Sequence, residues 1–230
     1  MTFRLDKFLC DNAGLTRSEA KRAIKRKQIT VNGKILTSSA THVTLDDDIR
    51  LEDEPVNYLG TQYFMLHKPS EYVCATEDSL HPTVIDLIET PAKGLHCAGR
   101  LDIDTTGLVL LSNDGQWTHN ITSPKKQCDK CYIATLDTPL SAEAIAKLEE
   151  GIFFQAEQRK TRPAKIQRLT EDKVEIIISE GMYHQVKRMF IAVGNEVISL
   201  HRNAIGNLRL DDQLLPGEYR ALTDAEIALF

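Results

Sequence analysis

The chain has 230 residues and a mass of 25.9 kDa, and 42% hydrophobic with 27% charged residues excludes a disordered or fibrous protein. No apolar run approaches the roughly 18 residues of a membrane-spanning helix, the start lacks the apolar core of a signal peptide, and 5 scattered cysteines do not make a secreted disulfide framework. A reduced, cytoplasmic protein is therefore expected, with no membrane partner.

The net charge of −5 hides a segregation: residues 1–34 carry nine basic and three acidic side chains, and residues 35–57 carry one and six. Residues 4–12 predict a short helix with Leu5, Phe8 and Leu9 on one face. Thr16-Arg17-Ser18-Glu19 is a capping-box pattern, which opens a second helix running to about Lys27. Lys21, Arg22, Lys25 and Arg26 recur in it at three- and four-residue spacing and share a face. With Arg4, Lys7 and Arg17 they form a cationic patch suited to a polyanion, although charge alone equally allows a solvated helix face. Ile29-Thr30-Val31, Asn32-Gly33 and Lys34-Ile35-Leu36 read as strand, tight turn and strand, with a third strand at Ile49-Arg50-Leu51. Glu54 to Gly60 reads as a linker. The expected division is residues 1–58 and residues 61–230.

Strand-like segments dominate the second part: Tyr63–His67, Leu108–Leu111, Tyr132–Leu136, Val174–Ser179 and Glu196–Leu200. Two helices interrupt them. One starts near Ser141 and stops before Gly151; the other carries the apolar stripe Val186, Met189, Phe190 and Val193. The pattern is that of an α+β fold built on a mostly antiparallel, mixed sheet.

The most informative run extends from Gly99 to Gly115. A polar loop with two carboxylates, Asp102 and Asp104, and two hydroxyls enters the apolar strand Leu108–Leu111, which leaves through Asn113-Asp114-Gly115, a turn signal. Such a loop can hold a reactive carboxylate rigidly; Asp and Thr in turns also commonly bond only local amides.

Gly99-Arg100-Leu101-Asp102 with Asp104-Thr105-Thr106-Gly107-Leu108 resembles the signature of the pseudouridine synthases that modify ribosomal RNA. His67-Lys68-Pro69, Lys130-Cys131-Tyr132, the stretch from Glu180 to Met189 and Leu200-His201-Arg202 with Ile205-Gly206 match further motifs of that family in order. The N-terminal region is similar to the alpha-L RNA-binding module, in Arg4-Leu5-Asp6-Lys7 and in the Ile29–Gly33 hairpin. The resemblance implies that Asp102 is the indispensable aspartate and that Tyr132 stacks on the target base. Most relatives carry Arg where this chain has Lys187. Lys in a Tyr-His-Gln-Val-Lys-Arg-Met context is similar to the branch acting on small-subunit (16S) rRNA, at uridine 516; a large-subunit target is the alternative.

Pseudouridine formation breaks the C1′–N1 bond of uridine, turns the uracil and rejoins it through C5. It needs no oxidant and no group donor, so no cofactor and no metal are expected. The base must leave its stack, and an aromatic partner for it is worth roughly 1–3 kcal/mol. A carboxylate in a closed pocket needs a nearby cation to stay ionised, and Lys187, on the half-buried helix, is expected to pair with Asp102. Arg100 is expected to grip a phosphate or fill the gap left in the RNA, and Gln185 and Arg188 to contact substrate. The expected partner is small-subunit rRNA, free or in a ribonucleoprotein particle, bound by a monomer.

Two rival classes remain open on sequence: a metal-dependent enzyme using Asp102 and Asp104 as ligands, and a non-catalytic RNA-binding assembly factor. Cys128-Asp129-Lys130-Cys131 lacks a second ligand pair and is read as reduced cysteines. The basic runs Lys125, Lys126, Lys130 and Arg159, Lys160, Arg162, Lys165, Arg168 would either touch phosphates or guard strand edges.

Overall fold

A computed structural model describes residues 1–230. They form two compact units, Met1–Gln62 with Thr90–Leu95, and Tyr63–Glu89 with His96–Phe230.

The first unit contains, in chain order, β1 (Thr2–Arg4), α1 (Leu5–Asn12), α2 (Arg17–Lys25), β2 (Ile29–Val31), β3 (Lys34–Ile35), β4 (His42–Thr44), β5 (Ile49–Leu51) and β6 (Glu54–Pro55). The apolar spacing of the sequence is realised: Leu5, Phe8 and Leu9 of α1 and Ala20, Ala23 and Ile24 of α2 pack with Ile29, Val43 and Ile49. The Thr16 hydroxyl accepts the Glu19 amide at 3.2 Å, and the Glu19 carboxylate accepts the Thr16 amide at 2.8 Å, closing the capping box. The helix ends before Lys27, whose φ of +62° cannot continue it. Asn32 and Gly33 both take positive φ, 53° and 75°, as a two-residue hairpin turn demands.

The second unit adds β7 (Tyr63–Lys68), β8 (His96–Cys97), β9 (Thr106–Ser112), α3 (Gly115–Thr122), β10 (Lys130–Leu136), α4 (Ala142–Glu150), β11 (Phe153–Phe154), β12 (Arg159–Lys160), β13 (Lys165–Arg168), β14 (Lys173–Ile178), α5 (Gln185–Ala192), β15 (Val197–Ile205), β16 (Leu208–Arg209), β17 (Tyr219–Ala221) and α6 (Asp224–Ile227). Its main sheet runs β13-β14-β10-β15-β9-β7-β17, with β16 on β15 and β8 on β9. Every pairing is antiparallel except β15 with β9. The α+β fold on a mostly antiparallel sheet is therefore as the sequence predicts.

One local reading is corrected, and a second, left open between phosphate contact and a strand edge, falls on a strand edge. Asn113-Asp114-Gly115 is a helix start: the Asp114 carboxylate accepts the amides of Gln116 and Trp117 at 2.9 and 3.1 Å. The helix it opens, α3, buries Trp117 and Ile121 against Met65, Leu108, Leu110 and Ile205. With α3 and the short C-terminal α6, the unit has four helices where the sequence suggests two. The basic run Lys165–Arg168 is an edge strand, β13, on the outside of the sheet.

The parallel register places His201 beside Thr106 and Arg202 beside Gly107. Gly107 has φ +106°, and a Cβ there would lie 2.2 Å from the Arg202 carbonyl oxygen. No other residue allows this approach, so the glycine that ends the polar loop also fixes where Arg202 sits.

Candidate active site

The loop before β9, the strands β10 and β15, the turn before α5 and the start of α5 enclose a cavity of about 610 Å³. Its walls include Arg100, Asp102, Tyr132, Gln185, Lys187 and Arg202. Five of these six are site residues expected from the sequence, and the fold brings them together from segments up to a hundred residues apart.

The loop is held from below. Lys68, at the end of β7, is fully buried, and its ammonium donates to the carbonyls of Pro69, Ile103 and Thr105 at 2.9, 3.1 and 2.8 Å. Burial lowers its pKa, and the three carbonyls supply the acceptors that water would have given. Glu71 donates its amide to Ile103 at 2.9 Å, and Thr105 donates to the Asp102 carbonyl at 3.1 Å. Asp102 is thus mounted on backbone pinned on both sides.

The Asp102 carboxylate is partly buried and has two different neighbours. His184 Nε2 lies 3.4 Å from Oδ1, and Lys187 Nζ lies 3.6 Å from Oδ2. Lys187 makes its shorter bonds to Asp104, at 2.6 and 2.8 Å. The expected Asp102–Lys187 pair is present, but the ammonium is shared and Asp104 is its nearer partner. Burial pushes the Asp104 carboxyl upward; the Lys187 hydrogen bonds and charge outweigh this and hold it below the usual carboxylate range. The space between the two carboxylates, which a bridging metal would need, holds this ammonium.

The turn that delivers Lys187 and His184 has its own support. Glu180 is buried and accepts from the Arg159 guanidinium, from the Arg162 amide at 2.7 Å and from Gln185 Nε2 at 3.0 Å. Gln185 Oε1 accepts the Met182 amide at 2.9 Å. His184 sits in the left-handed region, φ +47°, with its ring stacked 3.8 Å from that of the exposed Tyr183. Gln185 therefore lines the cavity while its amide serves the turn. Arg188 does not line it: its guanidinium is bound by Glu157 through two 2.7 Å bonds, lies 3.8 Å from the Phe154 ring centroid and donates to the Tyr183 carbonyl. The sequence leads one to expect both against substrate; both bond within the turn, and of the two only Gln185 also lines the cavity.

Tyr132 is largely buried on β10, with its ring at the cavity and its hydroxyl 3.4 Å from Arg202 Nη1. Arg100 is exposed at the cavity wall. Cys74, also in the wall, accepts the Leu101 amide at 3.3 Å, and a hydrogen bond from Cys97 lowers its thiol pKa. The Cys128 and Cys131 thiols are both raised by burial, Cys131 to about 12. Sequence reasoning gives no role to Lys68 or Arg202, although both fall in quoted motifs; a basic residue inside an apolar strand is the available signal.

In the first unit the cations divide. Arg4 is bound by the buried Asp6 at 3.0 and 3.1 Å, and Lys7 lies 3.3 Å from Asp11. Arg17, Lys21, Arg22, Lys25 and Arg26 all project from α2 or its cap and are exposed.

Residues 62–192 match the family model described as RNA pseudouridylate synthase, and residues 3–49 match the S4 domain. The chain is 49% identical to the ribosomal small subunit pseudouridine synthase A of Yersinia pestis, covering 98% of this chain and 97% of that one. It is 49% identical to the protein of the same name from Haemophilus influenzae, over 97% of each chain, and 47% identical to that from Escherichia coli K12, over 98% of each. A crystal structure of a pseudouridylate synthase superposes with a TM-score of 0.71 at 48% identity, covering 99% of this chain and all of that one. No helix is long and apolar enough to cross a membrane. With an S4 domain ahead of a synthase sheet, this chain belongs to the RNA pseudouridylate synthase family and is an isomerase of uridine in RNA.

Proposed function

We propose that this enzyme converts one uridine of small-subunit rRNA, expected to be uridine 516, to pseudouridine, with Asp102 as its catalytic carboxylate. The target class rests on the full-length similarity to three synthases named for the ribosomal small subunit. The observation that carries the site assignment is the placement of Asp102 in the cavity wall within 3.6 Å of Lys187, on the same cavity as Tyr132.

The target nucleotide leaves its stack and enters the cavity. Tyr132 offers its ring to the uracil. Lys187 sets its ammonium 3.6 Å from the Asp102 carboxylate, and that carboxylate either attacks C1′ or removes a ribose proton. Arg100 meets the backbone phosphate or the vacancy left in the RNA. The exposed cations of the α2 face, in the expected RNA-binding domain 1–58, supply phosphate affinity without reading sequence. The enzyme acts as a cytoplasmic monomer, on naked rRNA or a ribonucleoprotein particle.

The test is incubation with in vitro small- and large-subunit rRNA, free and assembled, followed by mapping of pseudouridine through carbodiimide-dependent reverse-transcription stops. A single new stop in small-subunit rRNA is expected, and Asp102→Asn should slow its appearance by at least about 1,000-fold. Stops only in large-subunit rRNA would refute the target; an Asp102→Asn rate within tenfold of wild type would refute the catalytic assignment.

A further inference from the structure

Arg202 is 2% exposed, and no carboxylate lies within ion-pair distance of it. Its Nε donates to the Leu108 carbonyl at 2.8 Å, while Nη1 makes only long contacts, 3.5 Å to the Arg100 carbonyl and 3.4 Å to the Tyr132 hydroxyl. Nη2 is buried with no partner at all. A buried guanidinium with an idle donor is costly, yet the fold goes to some length to keep it there. The β9–β15 pairing seats it, and Gly107 is the residue that lets the two strands meet. The other cations of the cavity wall are accounted for: Lys187 by its two aspartates, Lys130 by the Cys128 carbonyl, Arg100 by solvent.

The position of Arg202 says what would satisfy it. Its guanidinium carbon is 5.9 Å from the centre of the Tyr132 ring, the ring assigned above to stack on the base. A group in the cavity next to that ring is the uracil. Uracil is neutral when it enters. When C1′–N1 breaks, the bonding pair goes to N1 and spreads onto the O2 and O4 carbonyl oxygens. The charge disappears when C5 bonds to C1′, the C5 proton departs and N1 is protonated. An interaction felt mainly by the anion lowers the barrier rather than only tightening binding.

We propose that Arg202 is a further catalytic residue, which donates from Nη2 to a carbonyl oxygen of the uracil and stabilises the detached uracil anion while it turns. This rests on the assignment of Asp102 and Tyr132 to the reaction. The full-length enzyme, Arg202→Met and Arg202→Lys are compared in single turnovers on RNA carrying uridine or 5-fluorouridine at the target, reading loss of the N-glycoside after nuclease digestion and mass spectrometry. Fluorine makes the uracil anion less basic and less dependent on a donor. Arg202→Met should be about 100-fold slower than wild type on uridine and no more than about tenfold slower on 5-fluorouridine, with RNA affinity within about threefold. Arg202→Lys keeps a buried charge and carries the same contrast, about tenfold against threefold, if the methionine variant does not fold. Equal losses on both RNAs, or rates within threefold of wild type, would overturn the role. Asp102→Asn in parallel separates the failures: turnover retained there overturns the assignment of Asp102, whereas its loss together with equal Arg202→Met effects overturns the assignment of Arg202 alone.

Discussion

Both units are rich in basic side chains, and they use them in opposite ways. On α2, Lys21, Arg22, Lys25 and Arg26 are exposed on one helix, with their charges in water. In the synthase unit, Lys68 and Arg202 are buried and Lys187 is mostly so, each held by named backbone or carboxylate oxygens. Exposed cations exchange counterions with the solvent, so their attraction for phosphate is large in sum and weakens with salt. Buried cations are screened little and act over a few ångströms on one group. The first arrangement suits holding a long polyanion, and the second suits setting the charge of a single carboxylate or base.

The sharpest way to break this comparison is to remove a cavity cation. Lys187→Met should slow single-turnover pseudouridine formation by at least about 100-fold, because Asp102 loses the cation paired with its carboxylate. RNA affinity should change by no more than about threefold, and the rate defect should be the same at low and high salt. Lys187→Arg should recover most of the rate. A methionine variant close to wild type in turnover would mean that Asp104, the nearer partner, is the real purpose of the lysine.

The Lys187 pairing also shows how far the sequence can be read. The capping box at Thr16, the Asn32-Gly33 turn and the apolar stripe of α5 are local patterns, and they fold as their chemistry dictates. The loop aspartate, the tyrosine and the lysine are legible as types. Which of two carboxylates two residues apart is the lysine's nearer partner is not, because the loop conformation set by Lys68 decides it. Arg202 is equally hidden: its burial follows from a parallel pairing between residues almost a hundred positions apart. Asp114 is different. Its capping signal stands in the sequence, and the following glycine masks it as a turn.

On the exposed side, changing Lys21, Arg22, Lys25 and Arg26 together to glutamine preserves helix propensity and should weaken rRNA binding by between about tenfold and 100-fold at low salt. The slope of log affinity against log salt should fall by up to roughly 3–3.5 units, at about 0.7–0.9 for each of four phosphates the protein no longer neutralises. Turnover at saturating RNA should stay within about threefold. An unchanged slope, measured by filter binding across a salt series, would remove α2 from the RNA interface.

A third use of a cation gives the smallest effect. Arg220 is fully matched, by Asp211 at 2.7 Å and by Glu226 at 2.8 and 2.9 Å. The Arg220 guanidinium, with backbone and hydroxyl donors of Thr223, lowers the Glu226 carboxyl from about 4.5 to about 2. A depressed carboxylate pKa adds stability that is complete above its unfolded value and is lost as pH falls through the folded one. Wild type should therefore exceed Glu226→Gln by about 1–2 kcal/mol above pH 5, discounted because the pair is partly solvated. The gap should close between about pH 4.5 and pH 2. Urea midpoints along that series check it. A gap that persists at pH 2 would mean that Glu226 acts through its capping bonds to Thr223, and that Arg220 is held by Asp211 alone.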